Sequence, residues 1–137
     1  LPHFTDPAER LALLGLLGRA AGGLGDRSAF EAAVDEARVL LLRASTEEAA
    51  ALSLLGFAHG AASLGDTELA AELAQRAITL ATRRSEWRVA MEAEAVAESA
   101  ASRRSVAAAS SNVKGEPLHV LATAFVDALT SPVAVAA

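Results

Sequence analysis

The sequence predicts an all-α protein of about six antiparallel helices, and three observations carry that expectation. Alanine, the strongest helix former, supplies 35 of the 137 residues. Tyrosine is absent and aromatic residues make up only 4%, so the chain is poor in the side chains from which sheets are packed. Helix-start signals followed by amphipathic stripes recur from Asp6 to Pro117. A chain of this length fits one domain, taken here as 1–137.

A first helix is expected over 7–22. Asp6 is placed to cap it, Pro7 suits the first helical position, where its missing N–H costs nothing, and Glu9 stands three residues after the cap. Its apolar run, LALLGLLG at Leu11 to Gly18, is bracketed by Arg10 and Arg19 and preceded by Asp6 and Glu9. Eight residues cannot span a bilayer and an acidic leader is wrong for secretion, so the run predicts a buried helix. The second helix, 27–43, follows Gly25-Asp26, the glycine ending one helix and the aspartate capping the next. Phe30, Ala33, Val34, Ala37 and Leu41 form one stripe, and Arg27, Glu31, Asp35 and Arg38 the other.

Ser45-Thr46-Glu47-Glu48 repeats the cap-to-glutamate spacing and opens a third helix, 46–63. Like the first it is apolar nearly all round, so both need neighbours on two sides. Gly65-Asp66 opens the fourth, 67–83, and Ser85 before Glu86 opens a long fifth, 86–110. Glu116-Pro117 opens the last, 117–130, with Leu118, Leu121, Ala122, Phe125 and Leu129 on one stripe; 131–137 is a tail.

An internal repeat links these elements. Leu24-Gly25-Asp26 recurs 40 residues later as Leu64-Gly65-Asp66, Leu14 matches Leu54, Ala21 matches Ala61 and Ala37 matches Ala77. The pattern resembles the tetratricopeptide repeat, a helix-turn-helix unit with a Leu-Gly pair and a small residue in its first helix, a Gly-Asp turn, then small residues in its second. The first copy, about 7–43, carries Leu17-Gly18, Ala21, Gly25-Asp26 and Ala37; the second, about 46–83, carries Phe57-Ala58, Ala61, Gly65-Asp66, Ala70 and Ala77. The resemblance implies hairpins stacked as a short right-handed solenoid, with 86–130 a divergent third repeat or a capping pair. The period departs from the family's usual 34 residues, and no third Gly-Asp follows Ala81. Small side chains then mark close helix contacts: Gly18 and Ala58 between the first helices, Ala70 facing Ala58 across its hairpin, and Ala77 toward the next helix.

Little in the chain points to catalysis. His3, His59 and His119 are scattered, with no i, i+4 pair of a helical metal site, and Glu116-x-x-His119 is one copy of a motif that di-iron bundles need twice. There is no cysteine, hence no disulfide, thiolate nucleophile or zinc-cysteine cluster. Nor is there a glycine-rich phosphate loop or a recognisable Ser-His-Asp set. The net charge of −5 is spread evenly over the two halves, so neither is a nucleic-acid-binding arm. Arg83-Arg84 suits a helix C-terminus. Glu92, Glu94 and Glu98 with Arg88, Arg103 and Arg104 fit either a polar groove or a solvated face of weak ion pairs. The expectation is a non-enzymatic protein without cofactor or metal.

In the tetratricopeptide family, exposed residues of each first helix line a ligand groove. The matching positions are Ala12, Gly15, Arg19, Gly22 and Gly23 in one copy and Leu52, Leu55, His59, Ala62 and Ser63 in the other. Arg19, Leu52, Leu55 and His59, with Trp87 close in sequence, are the candidate groove. The Lys and Asn residues with which chaperone-binding members clamp a terminal carboxylate are missing. The resemblance therefore implies a cytoplasmic protein- or peptide-interaction module, akin to the C-terminal repeat region of bacterial regulators that carry a helix-turn-helix DNA-binding domain in front. A start at Leu1 without methionine fits an excised piece of a longer chain. The groove is open to such a partner or filled by the chain's own last helix. Two other classes stay open: a self-association domain pairing through the helices from Trp87 or Leu118 onward, and a small-molecule-binding bundle with space left between small side chains.

Overall fold

The computed structural model describes residues 6–113. They form five α-helices and a 3-10 turn, with no strand among the described residues: α1 Pro7–Gly23, α2 Arg27–Leu40, the turn Ala44–Thr46, α3 Glu47–Ser63, α4 Thr67–Arg83 and α5 Trp87–Val113. The helix expected over 117–130 and the tail lie outside the described residues. Leu1–Arg103 make one compact unit and a second begins at Arg104; the architecture below is that of the first.

Local chemistry explains the helix starts. Asp6, Asp26 and Asp66 each accept a hydrogen bond from a backbone N–H of the following turn, those of Ala8 at 2.9 Å, Ala29 at 3.0 Å and Leu69 at 3.1 Å. The capping box expected at Ser45 to Glu48 does not form. Thr46 is the cap residue of α3 but its side chain caps nothing; the buried hydroxyl instead lies 2.8 Å from the carbonyl oxygens of both Leu40 and Arg43. It ties the end of α2 to the start of α3, which is why α2 stops at Leu40 rather than at 43.

The corners are more regular than their sequences. Gly25 and Gly65 have φ of 75° and 83°, and the N–H of the next aspartate reaches back to Ala21 or Ala61, at 2.8 and 3.0 Å. A third corner of the same kind joins α4 to α5. There Ser85 takes φ 59°, and the Glu86 N–H donates to the Ala81 carbonyl at 2.8 Å. No third Gly-Asp stands here; Ser85-Glu86, where the sequence places a helix start, fills its role, with Arg84 paired to Glu86 at 3.0 Å. A left-handed serine carries about 1–2 kcal/mol of backbone strain. Glycine also loses more chain entropy on folding, so Ser85→Gly is expected to stabilise the unit by a net of about 0.5–1 kcal/mol in urea unfolding.

Tertiary packing centres on α1 and α3. Among α1 to α4 these two share the most extensive backbone contact, with α2 against α1, α4 against α3, and α2 reaching α3 through the Phe30 side chain. Glycine makes the approach possible. A Cβ on Gly15 would stand 2.7 Å from the Ser53 Cα, one on Gly22 2.6 Å from the Gly60 carbonyl carbon, and one on Gly56 2.8 Å from the Gly15 carbonyl carbon. These helices therefore meet backbone to backbone. The Phe57 ring lies over Gly18, filling the space a side chain there would need, and meets Phe30 of α2 edge-on at 6.0 Å between centroids. Ala58, Ala61, Ala70, Ala74 and Ala77 are fully buried in the same core, which α5 joins through Ala93, Val96 and Ala100.

Candidate functional site

The residues expected to line a groove separate on folding. Arg19 on α1 and His59 on α3 come together, bridged by a residue that sequence reasoning had only among several charges, Glu92 of α5. The Glu92 Oε2 lies 2.8 Å from His59 Nε2 and 3.7 Å from Arg19 Nη1. One carboxylate thus joins three helices widely separated in sequence. Each partner keeps substantial access to water, so these pairs contribute on the order of 1 kcal/mol or less to stability.

Apolar side chains flank the cluster and remain open. Leu16, one turn before Arg19 on α1, is 65% exposed; Leu52, two turns before His59 on α3, is 53% exposed. Met91, beside Glu92, is also exposed, and Trp87 stands one turn before Met91 on the same stripe of α5. Next to His59 and Glu92 a shallow cleft of about 340 Å³ is lined by Ala62, Ser63, Val96 and Arg103. The Arg103 guanidinium donates to the Ala62 carbonyl at 3.0 Å, closing one end of it.

Three of the expected groove positions belong elsewhere. Leu55 is 3% exposed and sits in the core. Gly15 and Gly22 are buried against α3. The cause is the same in each case: α1 and α3 are apolar nearly all round, so sequence periodicity does not show which face meets the neighbouring backbone. Glu94, Glu98 and Arg88 are exposed along α5, as a solvated face requires, and His3 and His119 lie outside the described residues.

Among the described residues no cluster of His, Asp and Glu is placed to hold a metal ion, and no helix is long and apolar enough to cross a membrane. Comparison with known proteins gave no matching family, no matching curated protein and no matching solved structure.

Proposed function

We propose that this unit is a non-enzymatic docking module of tetratricopeptide-like type whose α1–α3–α5 face binds a peptide or helix of a partner protein. The observation that carries the reading is the three-helix cluster of Arg19, Glu92 and His59 set among the exposed Leu16, Leu52 and Met91. Exposed leucines bury little of their surface in the free protein and gain about 25 cal/mol per Å² when a partner covers them. The polar cluster fixes register: Glu92 is free to exchange one of its two neighbours, Arg19 or His59, for a partner's group without leaving a buried charge unpaired. The twin Gly-Asp corners and the small residues at Gly18, Ala58, Ala70 and Ala77 support the likeness to stacked helical hairpins.

Selection of peptides from a displayed random library, followed by affinity measurement, tests this. Selected peptides are expected to carry regularly spaced apolar residues, and to lose about tenfold in affinity, about 1.4 kcal/mol, against Leu52→Glu or Arg19→Glu. Gln75→Glu, on the exposed side of α4, leaves binding unchanged. Peptides that bind all three variants alike, or a library that yields none, would contradict the reading.

A further inference from the structure

A cleft on the other side of α3 from Leu52 and His59 combines an apolar interior with three charges at its mouth. α2 sits on α1 and α4 on α3, and the backbones of α2 and α4 share little contact with each other. Between them lies a cleft of about 290 Å³. Val34 and Leu41 of α2 and Leu69 and Leu73 of α4 form its walls, and the buried Leu54 and Phe57 of α3 its floor. Helical geometry turns Leu54 and Phe57 away from Leu52 and His59. The cleft is also more enclosed than the one beside Glu92.

The mouth carries Arg38 from α2 and Glu72 and Arg76 from α4. Glu72 and Arg76 stand four residues apart, the spacing at which a glutamate and an arginine on one helix pair. No ion pair or side-chain hydrogen bond joins them to each other, or joins Arg38 to either or to any other described residue. Arg10, Arg19 and Arg84, by contrast, each meet a glutamate.

We infer that this cleft is a binding site for an apolar α-amino acid of about leucine's size. Its volume limits the occupant, since small-molecule pockets span about 300–1,000 Å³ and this one lies at the lower end. Walls and floor receive an apolar side chain. The mouth decides what that side chain is attached to. A carboxylate seats between Arg38 and Arg76, one on each wall, and an ammonium seats on Glu72. A simple fatty acid would bring its carboxylate to Glu72 without the ammonium that offsets it, and a simple amine would meet two arginines.

Isothermal titration of the full chain with L-leucine reads the outcome. The expected result is a one-to-one complex with a dissociation constant of about 1 mM or below. Isocaproate, which lacks only the ammonium, and isoamylamine, which lacks only the carboxylate, bind about tenfold more weakly or worse. Glycine, which brings both charges without the apolar side chain, shows no measurable binding. Arg38, Glu72 and Arg76 are exposed, so their substitution spares the core. Arg38→Gln, Glu72→Gln and Arg76→Gln each weaken leucine binding about tenfold at unchanged helicity, while Arg88→Gln on α5 does not. No binding of leucine up to about 10 mM, the result if residues outside 6–113 fill the cleft, would overturn the inference. So would equal binding of leucine and its two analogues, or binding indifferent to the three substitutions. None of these outcomes bears on peptide binding at the α1–α3–α5 face, which lies on the other side of α3.

Discussion

Phe57→Ala is expected to remove about 3–5 kcal/mol of stability, read as a lowered urea midpoint at unchanged slope. Against the 5–15 kcal/mol typical of a domain, that leaves the variant close to unfolding at 37 °C. The magnitude follows from where the ring sits. It is buried in the interface of α1 and α3, perpendicular to Phe30 at 6.0 Å, with its Cδ1–Cε1 side at the position where Gly18 lacks a side chain. Removing it loses the transfer energy of the ring, its contact with Phe30 and the packing of the Gly18 backbone together. The site is also coupled. Gly18→Ala alone collides with the ring, but in the Phe57→Ala background the new methyl enters vacated space. The double-mutant cycle should therefore show a favourable coupling of about 1–2 kcal/mol.

Gly22→Ala should cost about 2–3 kcal/mol, although alanine is the better helix former by about 1 kcal/mol. A methyl on Gly22 would stand 2.6 Å from the Gly60 carbonyl carbon. Nothing soft lies there to yield, since the obstacle is main chain. The helices would have to separate along their shared length, and the loss would spread to Phe57 and to Leu54, buried in the same core. Gly60→Ala should behave alike, because its Cβ would meet the Gly18 carbonyl oxygen and stand 2.7 Å from the Phe30 ring.

The places where sequence and structure part share a physical cause. Corners are written in local chemistry, so Gly25-Asp26 and Gly65-Asp66 were legible from residue type alone. At Ser85-Glu86 the helix start was legible but the matching corner was not, because serine does not announce a left-handed backbone; the return of the Glu86 N–H to Ala81 reveals it. The stripe of α2 was readable because polar and apolar residues separate cleanly around it. On α1 and α3 leucine, alanine and glycine occur on every side, so Gly15 and Gly22 could be assigned equally to a groove or to a backbone contact. Their lack of a Cβ was the available signal, since glycine inside a helix is disfavoured unless something comes close. Arg19 and His59 were singled out from the repeat register. Glu92 was not, because which of several glutamates on α5 turns toward α3 depends on the rotation of a helix whose faces are alike. Thr46 likewise looked like half of a capping box, and only the path of the chain from α2 turns its hydroxyl backward.

The proposed docking face depends on the close approach of α1 and α3, because Arg19 and His59 reach one carboxylate only when their helices lie this near. Neighbouring glycines separate that claim from ordinary helix propensity. Gly22 is pressed against Gly60, while a Cβ on Gly23 would meet nothing within 4 Å. Urea unfolding of Gly22→Ala and Gly23→Ala side by side is the most direct measurement. Opposite signs are predicted: a loss of about 2–3 kcal/mol at Gly22 and a gain of about 0.5 kcal/mol at Gly23. Two variants stabilised alike would mean that α1 and α3 stand a full side chain apart, which would contradict the account.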